Sequence, residues 1–230
     1  MIDLPKISII IPTINEANNL PLLLSDLSSI QEEGEIIIVD CGSEDKTIDI
    51  ANIYGAKVFI SKEKNRGLQL DMGAKNSKGD WLIFLHADTR LTHDWFEKTN
   101  LLIKENKNRI YYFKFKINHK KIIYRVLEIL VNIRSKYFKQ PYGDQGLIIH
   151  RTSYFKNNGF RKIPLMEDVD FLRRLNNTKD LKQLNSPIFI SSRKWERTNI
   201  FLQAIKNWNF RRRWLKGESL KSIYSDYYKK

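Results

Sequence analysis

The strand-like runs of this chain are short, continuous and apolar, and each stops at a polar cluster. Residues 7–11 run into Pro12-Thr13-Ile14-Asn15-Glu16, residues 36–39 into Asp40-Cys41-Gly42-Ser43-Glu44-Asp45, and residues 81–85 into His86-Ala87-Asp88-Thr89. Unbroken apolar runs between helical patterns predict parallel strands covered on both faces. In an open parallel sheet the ligand crevice lies outside the carboxyl ends of the strands. Three acidic or amide clusters, far apart in sequence, therefore converge on one edge. That edge suits a cation and the polar edges of a nucleotide.

The intervening segments complete the pattern. Leu20, Leu23, Leu24 and Leu27 at helical spacing predict a helix over 17–30, with Asn15 as its cap. A second helix is expected over 45–54, ended by Gly55, then a strand at 57–60, a helix at 67–77 and a strand at 81–85. This alternation predicts right-handed crossovers and a Rossmann-like half. After Asp88 the order loosens. Helices are expected at 93–105, 122–138, 152–157 and 167–175, and strands at 111–117, 146–150 and 188–191. The tail from Asn199 reads as one or two basic, aromatic helices.

Composition narrows the class. The chain has 230 residues, 42% of them hydrophobic and 12% aromatic, enough to bury a real core. No apolar stretch approaches the roughly 18 residues of a spanning helix. Residues 1–6 carry an acid and a proline and do not read as a signal peptide. One cysteine, Cys41, leaves no internal disulfide. Together these predict a cytoplasmic protein. The net charge is +14, from 40 Lys+Arg against 26 Asp+Glu, concentrated in 104–139 and 193–230. Such a field attracts polyanions; a composition rich in Lys, Ile and Asn accounts for it equally well.

Among single residues, Asp40 ends a strand and precedes a Gly-Ser turn that leaves its carboxylate free, whereas Asp45 is placed to cap the next helix. A hard divalent cation on a diphosphate needs only one or two protein carboxylates. Asp88 fits that need, or else it caps the helix that follows Thr92. Arg66, just before a helix start, pairs with phosphate or is a solvated loop arginine.

The three strand-end clusters resemble the N-terminal signatures of family 2 glycosyltransferases with the GT-A fold. Downstream, Tyr142-Gly143-Asp144-Gln145-Gly146 and Met166-Glu167-Asp168-Val169-Asp170 resemble that family's acceptor-side segments, in the expected order. The likeness spans most of residues 5–195 and is nearest to a small soluble subgroup associated with radical-SAM and selenium-related genes. It implies an α/β fold, a Rossmann-like, mostly parallel central sheet flanked by helices, with a basic helical tail. The organisation expected is a domain over 1–198, with a nucleotide-sugar half at 1–90 and an acceptor-side half at 91–198, followed by the tail at 199–230.

By the same resemblance the donor is a nucleotide sugar, UDP-linked, held by Pro12, Thr13, Asn15, Glu16, Asp40, Ser43, Arg66, His86 and Ala87. Asp88 binds Mg²⁺ or Mn²⁺. His86 departs from the family's commonest motif, which has Asp there. Asp168, more than Glu167, is the expected base; an inverting transfer needs a carboxylate opposite the leaving diphosphate and within reach of the acceptor hydroxyl. Asp144, Gln145, Arg193 and Trp195 fall on the acceptor side, Trp195 as core or wall. The acceptor is an unknown hydroxyl, on a small molecule or a lipid-linked one.

Residues 122–138 and the tail are basic and amphipathic. They pack on the sheet and close the fold, or they touch the inner face of an anionic membrane. No nucleic-acid recognition motif is present. A nucleotidyltransferase is the rival enzyme, but residues 13–18 contain no glycine for a phosphate loop. A non-catalytic nucleotide- or membrane-binding protein is the rival outside enzymes; Asp88 and Asp168 argue against it.

Overall fold

The computed structural model describes residues 7–30, 33–105, 108–175, 180–191 and 200–228. The first half is the expected alternation: β1 (Ile7–Thr13), α1 (Leu20–Asp26), β2 (Gly34–Asp40), α2 (Thr47–Ile53), β3 (Lys57–Ile60), α3 (Arg66–Asn76) and β4 (Trp81–Phe84). The second half comprises β5 (Thr89–Leu91), α4 (Trp95–Glu105), β6 (Ile110–Ile117), α5 (Ile122–Tyr137), β7 (Leu147–His150), α6 (Arg151–Lys156), α7 (Glu167–Arg174) and β8 (Leu181–Ile190). Two tail helices follow, α8 (Ile200–Leu215) and α9 (Leu220–Tyr228).

The strands form one eight-stranded sheet in the order β3-β2-β1-β4-β7-β6-β8-β5. β3, β2, β1 and β4 are parallel, as are β6 and β8; β7 and β5 run the other way. Register places Thr13 beside Asp40 and Phe84 beside Leu147, so the loops after β1, β2 and β4 and the turn before β7 share one edge.

The unbroken apolar runs are explained by burial on both faces. Ile7, Ile9 and Ile11 pack with α1 leucines and Trp95, while Ile10, Leu82 and Phe84 pack with Leu70, Tyr154 and Phe171. α5 lies on the outer strands: Asn132 accepts from the Phe115 amide and donates back to its carbonyl, and Glu128 accepts from the Ile117 amide. Among the described residues, no helix is long and apolar enough to cross a membrane.

Three expectations are corrected. α1 begins at Leu20 rather than 17, because residues 14–19 form a polar loop in which Asn19 and Leu20 both donate to the Glu16 carbonyl. Asn15 is not a helix cap. Its backbone is left-handed (φ 53°), and its side chain accepts from the Glu44 amide at 2.8 Å. β8 starts at Leu181, not 188, its polar Lys182, Gln183 and Asn185 disguising an edge-side strand whose Pro187 sits just beyond a bulge against Lys114. The three-residue β5 carries too short a pattern to be read from sequence.

Candidate active site

The first two loops are built by side chains that spend themselves on one another. Asp40 is fully buried. Its carboxylate accepts from the Thr13 hydroxyl (2.8 Å), the Ser43 amide (2.8 Å) and the Ser43 hydroxyl. It is therefore not free, as the Gly-Ser turn suggested; it locks the end of β1 to the loop after β2. The Asn15 amide donates to Ser43 Oγ, the Glu16 amide to Thr47 Oγ1, and the Ala17 amide to Asp45 Oδ2. Asp45 also accepts from the Thr47 amide, in keeping with a role at the start of α2. Gln69, which the sequence did not single out, reaches from α3 to donate to both the Thr13 and Val39 carbonyls. Its only signal was a buried amide at a helical position flanked by apolar neighbours. Pro12 and Glu16 are left half-buried at the rim.

After β4 the chain turns sharply. The Thr89 amide and hydroxyl both donate to the His86 carbonyl, Ala87 is buried, and His86 and Asp88 stay half-buried on either side of it. Among the described residues no group of three or more His, Cys, Asp or Glu could hold a metal ion by itself. Asp88 thus fits a cation that arrives with diphosphate oxygens, and does not fit a resident all-protein metal centre.

The acceptor-side segments meet this edge from the far end of the chain. α7 starts at Glu167, directly after Met166, whose backbone is left-handed (φ 62°). Asp168 accepts from the Gly143 amide at 2.7 Å and from the Val169 amide at 2.7 Å. Gly143 packs closely there: a methyl group on it would lie 3.1 Å from His86 Nε2 and 3.5 Å from Asp168 Oδ2. His86, Gly143 and Asp168 therefore form one wall of a pocket whose lining also includes the apolar Phe84, Leu85, Pro141 and Leu172.

Glu167, beside Asp168, lines the same pocket. It is 1% exposed and paired with Arg66 across 101 residues of sequence. Burial lifts its pKa; Arg66 opposes that lift and the adjacent Asp168 carboxylate adds to it. Burial would lower the Arg66 pKa, but the Glu167 charge and hydrogen bond, with Asp168, drive it up. Arg66 is thus not merely a solvated loop residue: its Nε is engaged by Glu167. Gly67 beside it packs so tightly on the Arg161 carbonyl that a Cβ would come within 2.1 Å. Together they clamp α3 to the acceptor side.

Asp144 is half-buried on the turn before β7, whereas Gln145 is fully buried. The Gln145 side chain accepts from Ser135 and donates to the Phe113 carbonyl, so it braces α5 and β6 rather than lining the cleft. Tyr142 carries the Arg134 guanidinium 3.5 Å from its ring centre and accepts from Arg211 of α8. The tail thereby reaches the acceptor loop, a contact for which the Arg211-Arg212-Arg213 run gave no specific signal. Arg193 and Trp195 lie outside the described residues.

The family model described as glycosyl transferase family 2 matches residues 8–216. The chain is 38% identical over 94 residues to a "PGL/p-HBAD biosynthesis glycosyltransferase" of Mycobacterium bovis, an alignment covering 38% of this chain and 37% of that protein. It thus spans well under half the length of that relative. Its fold is similar to that of S. aureus TarS solved in complex with UDP-GlcNAc (TM-score 0.65, 20% identity, 81% of this chain and 58% of that one). It is also similar to glucosyl-3-phosphoglycerate synthase from Mycobacterium tuberculosis, solved with Mn²⁺ and UDP (TM-score 0.55, 17% identity, 81% of this chain and 70% of that one). The α/β architecture is that of GT-A glycosyltransferases.

Proposed function

Because the chain belongs to glycosyl transferase family 2, we propose that it moves a sugar from a nucleoside-diphosphate sugar to a hydroxyl acceptor with inversion, and that Asp168 is the base. The observation that carries this reading is the wall formed by His86, Gly143 and Asp168 at the carboxyl ends of the strands. The similarity to proteins solved with UDP, UDP-GlcNAc and Mn²⁺ supports a UDP-linked donor and a divalent cation. The resemblance of its motifs supports, as part of this proposal, membership of the radical-SAM- and selenium-associated subgroup.

The residues divide the work. Pro12 and Glu16, on loops fixed by Asp40, Ser43 and Gln69, cradle the base and ribose. Asp88 holds a Mg²⁺ or Mn²⁺ ion, which when bound neutralises the charge developing on the departing diphosphate. His86 meets the ribose or the phosphate. Asp168 takes the acceptor proton as the hydroxyl attacks, and the Gly143 and Val169 amides each hold one of its oxygens, which fixes the orientation of the carboxylate. Glu167 is a positioning residue: its ion pair with Arg66 holds the first turn of α7.

Calorimetry of UDP with and without Mn²⁺, followed by UDP-sugar turnover in wild type and Asp168→Asn, tests the proposal. Metal-linked UDP binding with turnover lost in the variant is the expected result. Absence of binding for any nucleoside diphosphate would overturn it.

A further inference from the structure

The outward face of α5 has no partner among the described residues, although it is as apolar as the face that packs on the sheet. Inward, Tyr124, Leu127, Glu128 and Ser135 are buried. Outward, Ile122, Val126, Ile129, Leu130, Ile133 and Tyr137 are all exposed, Ile122 by 81% and Tyr137 by 70%. Their spacing makes one continuous stripe along the helix. A helix apolar all round belongs inside a fold or against a second surface.

The flank of the stripe is basic. Lys114, Lys116, Arg125 and Lys136 line a groove shared with Ile129, Ile133 and Tyr137. An adjoining groove adds Lys139 and Lys182, and Lys120 and Lys121 lead into the helix. The one acid of the helix, Glu128, is buried and bonded to the Ile117 amide and Arg125, so it offsets Arg125 and not the lysines. An apolar stripe bordered by lysines matches a surface with negative headgroups over an acyl layer, where the lysine stems lie along the apolar zone and the ammonium groups reach the phosphates. A second copy of the same face fits less well, since an isologous contact would oppose lysine to lysine.

We infer that the outward face of α5 docks on an anionic lipid bilayer, with the helix lying in the plane of the headgroups. The position of α5 gives this contact a use. The helix leads into the acceptor loop at 141–145, and its own Arg134 stacks on Tyr142. Resting on the transferase reading, the acceptor hydroxyl then belongs to an amphiphile presented at the bilayer.

Vesicle flotation of the full chain tests this. Wild type is expected to float with mixed phosphatidylcholine–phosphatidylglycerol vesicles, less so as salt rises, and not with phosphatidylcholine alone. Ile129→Asp combined with Leu130→Asp is expected to abolish flotation, and Ile122→Ser, at the most exposed position, to weaken it. Lys120→Gln with Lys121→Gln is expected to weaken binding by roughly fivefold per lysine removed. Failure of wild type to float with anionic vesicles, or unchanged flotation of the double aspartate variant, would overturn the inference. So would sedimentation velocity showing a dimer that the aspartate variant dissolves, since a second copy would then cover the stripe. UDP calorimetry on the same variants separates the two proposals: vesicle binding without UDP binding sinks the transferase reading and leaves the lipid surface standing.

Discussion

The two ends of the parallel strands both carry buried carboxylates, and the contrast between them is instructive. At the amino end, Glu35 accepts from the Ser8 hydroxyl (2.7 Å), the Lys57 ammonium (2.6 Å) and the Lys78 amide (2.5 Å). Every contact it makes serves to tie β1, β2, β3 and the turn before β4 together. At the carboxyl end, Asp40 plays the same bracing part, but that edge also carries a second tier: His86, Asp88 and Asp168, half-buried and drawn from segments far apart in sequence. Saturated carboxylates hold a frame; half-buried carboxylates at loop ends have room to meet a ligand. The difference lies in which groups the surrounding backbone leaves accessible, since the residue types are the same.

The largest expected effect breaks the second tier at Asp168. Asp168→Asn keeps the side chain's size, so the Gly143 amide retains an acceptor. A general base contributes about 10²–10⁴-fold, and its loss falls on the transition state more than on donor binding. Turnover slowed by about that factor, with UDP affinity near normal by calorimetry, is the expected outcome. If Glu167→Gln is instead the more damaging change at equal stability, the base and the positioning residue are exchanged.

Asp88→Asn sharpens the comparison from the donor side. A contact to a charged group contributes about 1.5–3 kcal/mol, so the gain in UDP affinity on adding Mn²⁺ is expected to fall by roughly tenfold to hundredfold, with melting temperature unchanged in the absence of ligand. A variant that is destabilised, with wild-type activity independent of metal, would make Asp88 a helix cap and nothing more.

These residues also show how far the sequence could be read. The strand ends of the first half were legible because each strand is a local apolar run and each motif sits directly behind one. Asp168 and Glu167 were legible as a pair, but their different partners were not. Arg66, 101 residues away, engages Glu167, whereas the Gly143 amide engages Asp168. Gln145 shows the same limit, since a polar residue in a motif looked like a cleft wall and proved to be a buried brace. Periodicity reports which face is apolar; it does not report which polar atoms a distant segment has already engaged. Asp40 belongs to that class. Asp40→Ala removes the acceptor from the Thr13 hydroxyl and the Ser43 amide and is expected to cost about 1–3 kcal/mol of stability, read as a lower urea midpoint, with UDP binding weakened because the loop moves. Unchanged stability with lost UDP binding would mean that Asp40 contacts the nucleotide directly.

The smallest expected effect lies at the other edge. Burial alone would lift the Glu35 pKa, but the hydrogen bonds from Lys57, Ser8 and Lys78, with the Lys57 charge, hold it below the ordinary value of 4.5. A carboxylate whose pKa is lower in the folded chain binds fewer protons there than in the unfolded chain. Its contribution is therefore present in full above about 4.5 and is lost as pH falls through the folded value. Lys57 is about half exposed, with 48% of its side chain accessible, so screening limits the ion pair, and Glu35→Gln is expected to cost no more than about 1 kcal/mol at neutral pH. The variant's urea midpoint is expected to fall less steeply on acidification than that of wild type, while UDP binding and turnover stay unchanged. An identical acid limb in the two proteins would show that the amino-end network does not carry the pH dependence. Lost turnover in a stably folded variant would erase the division of labour between the two edges.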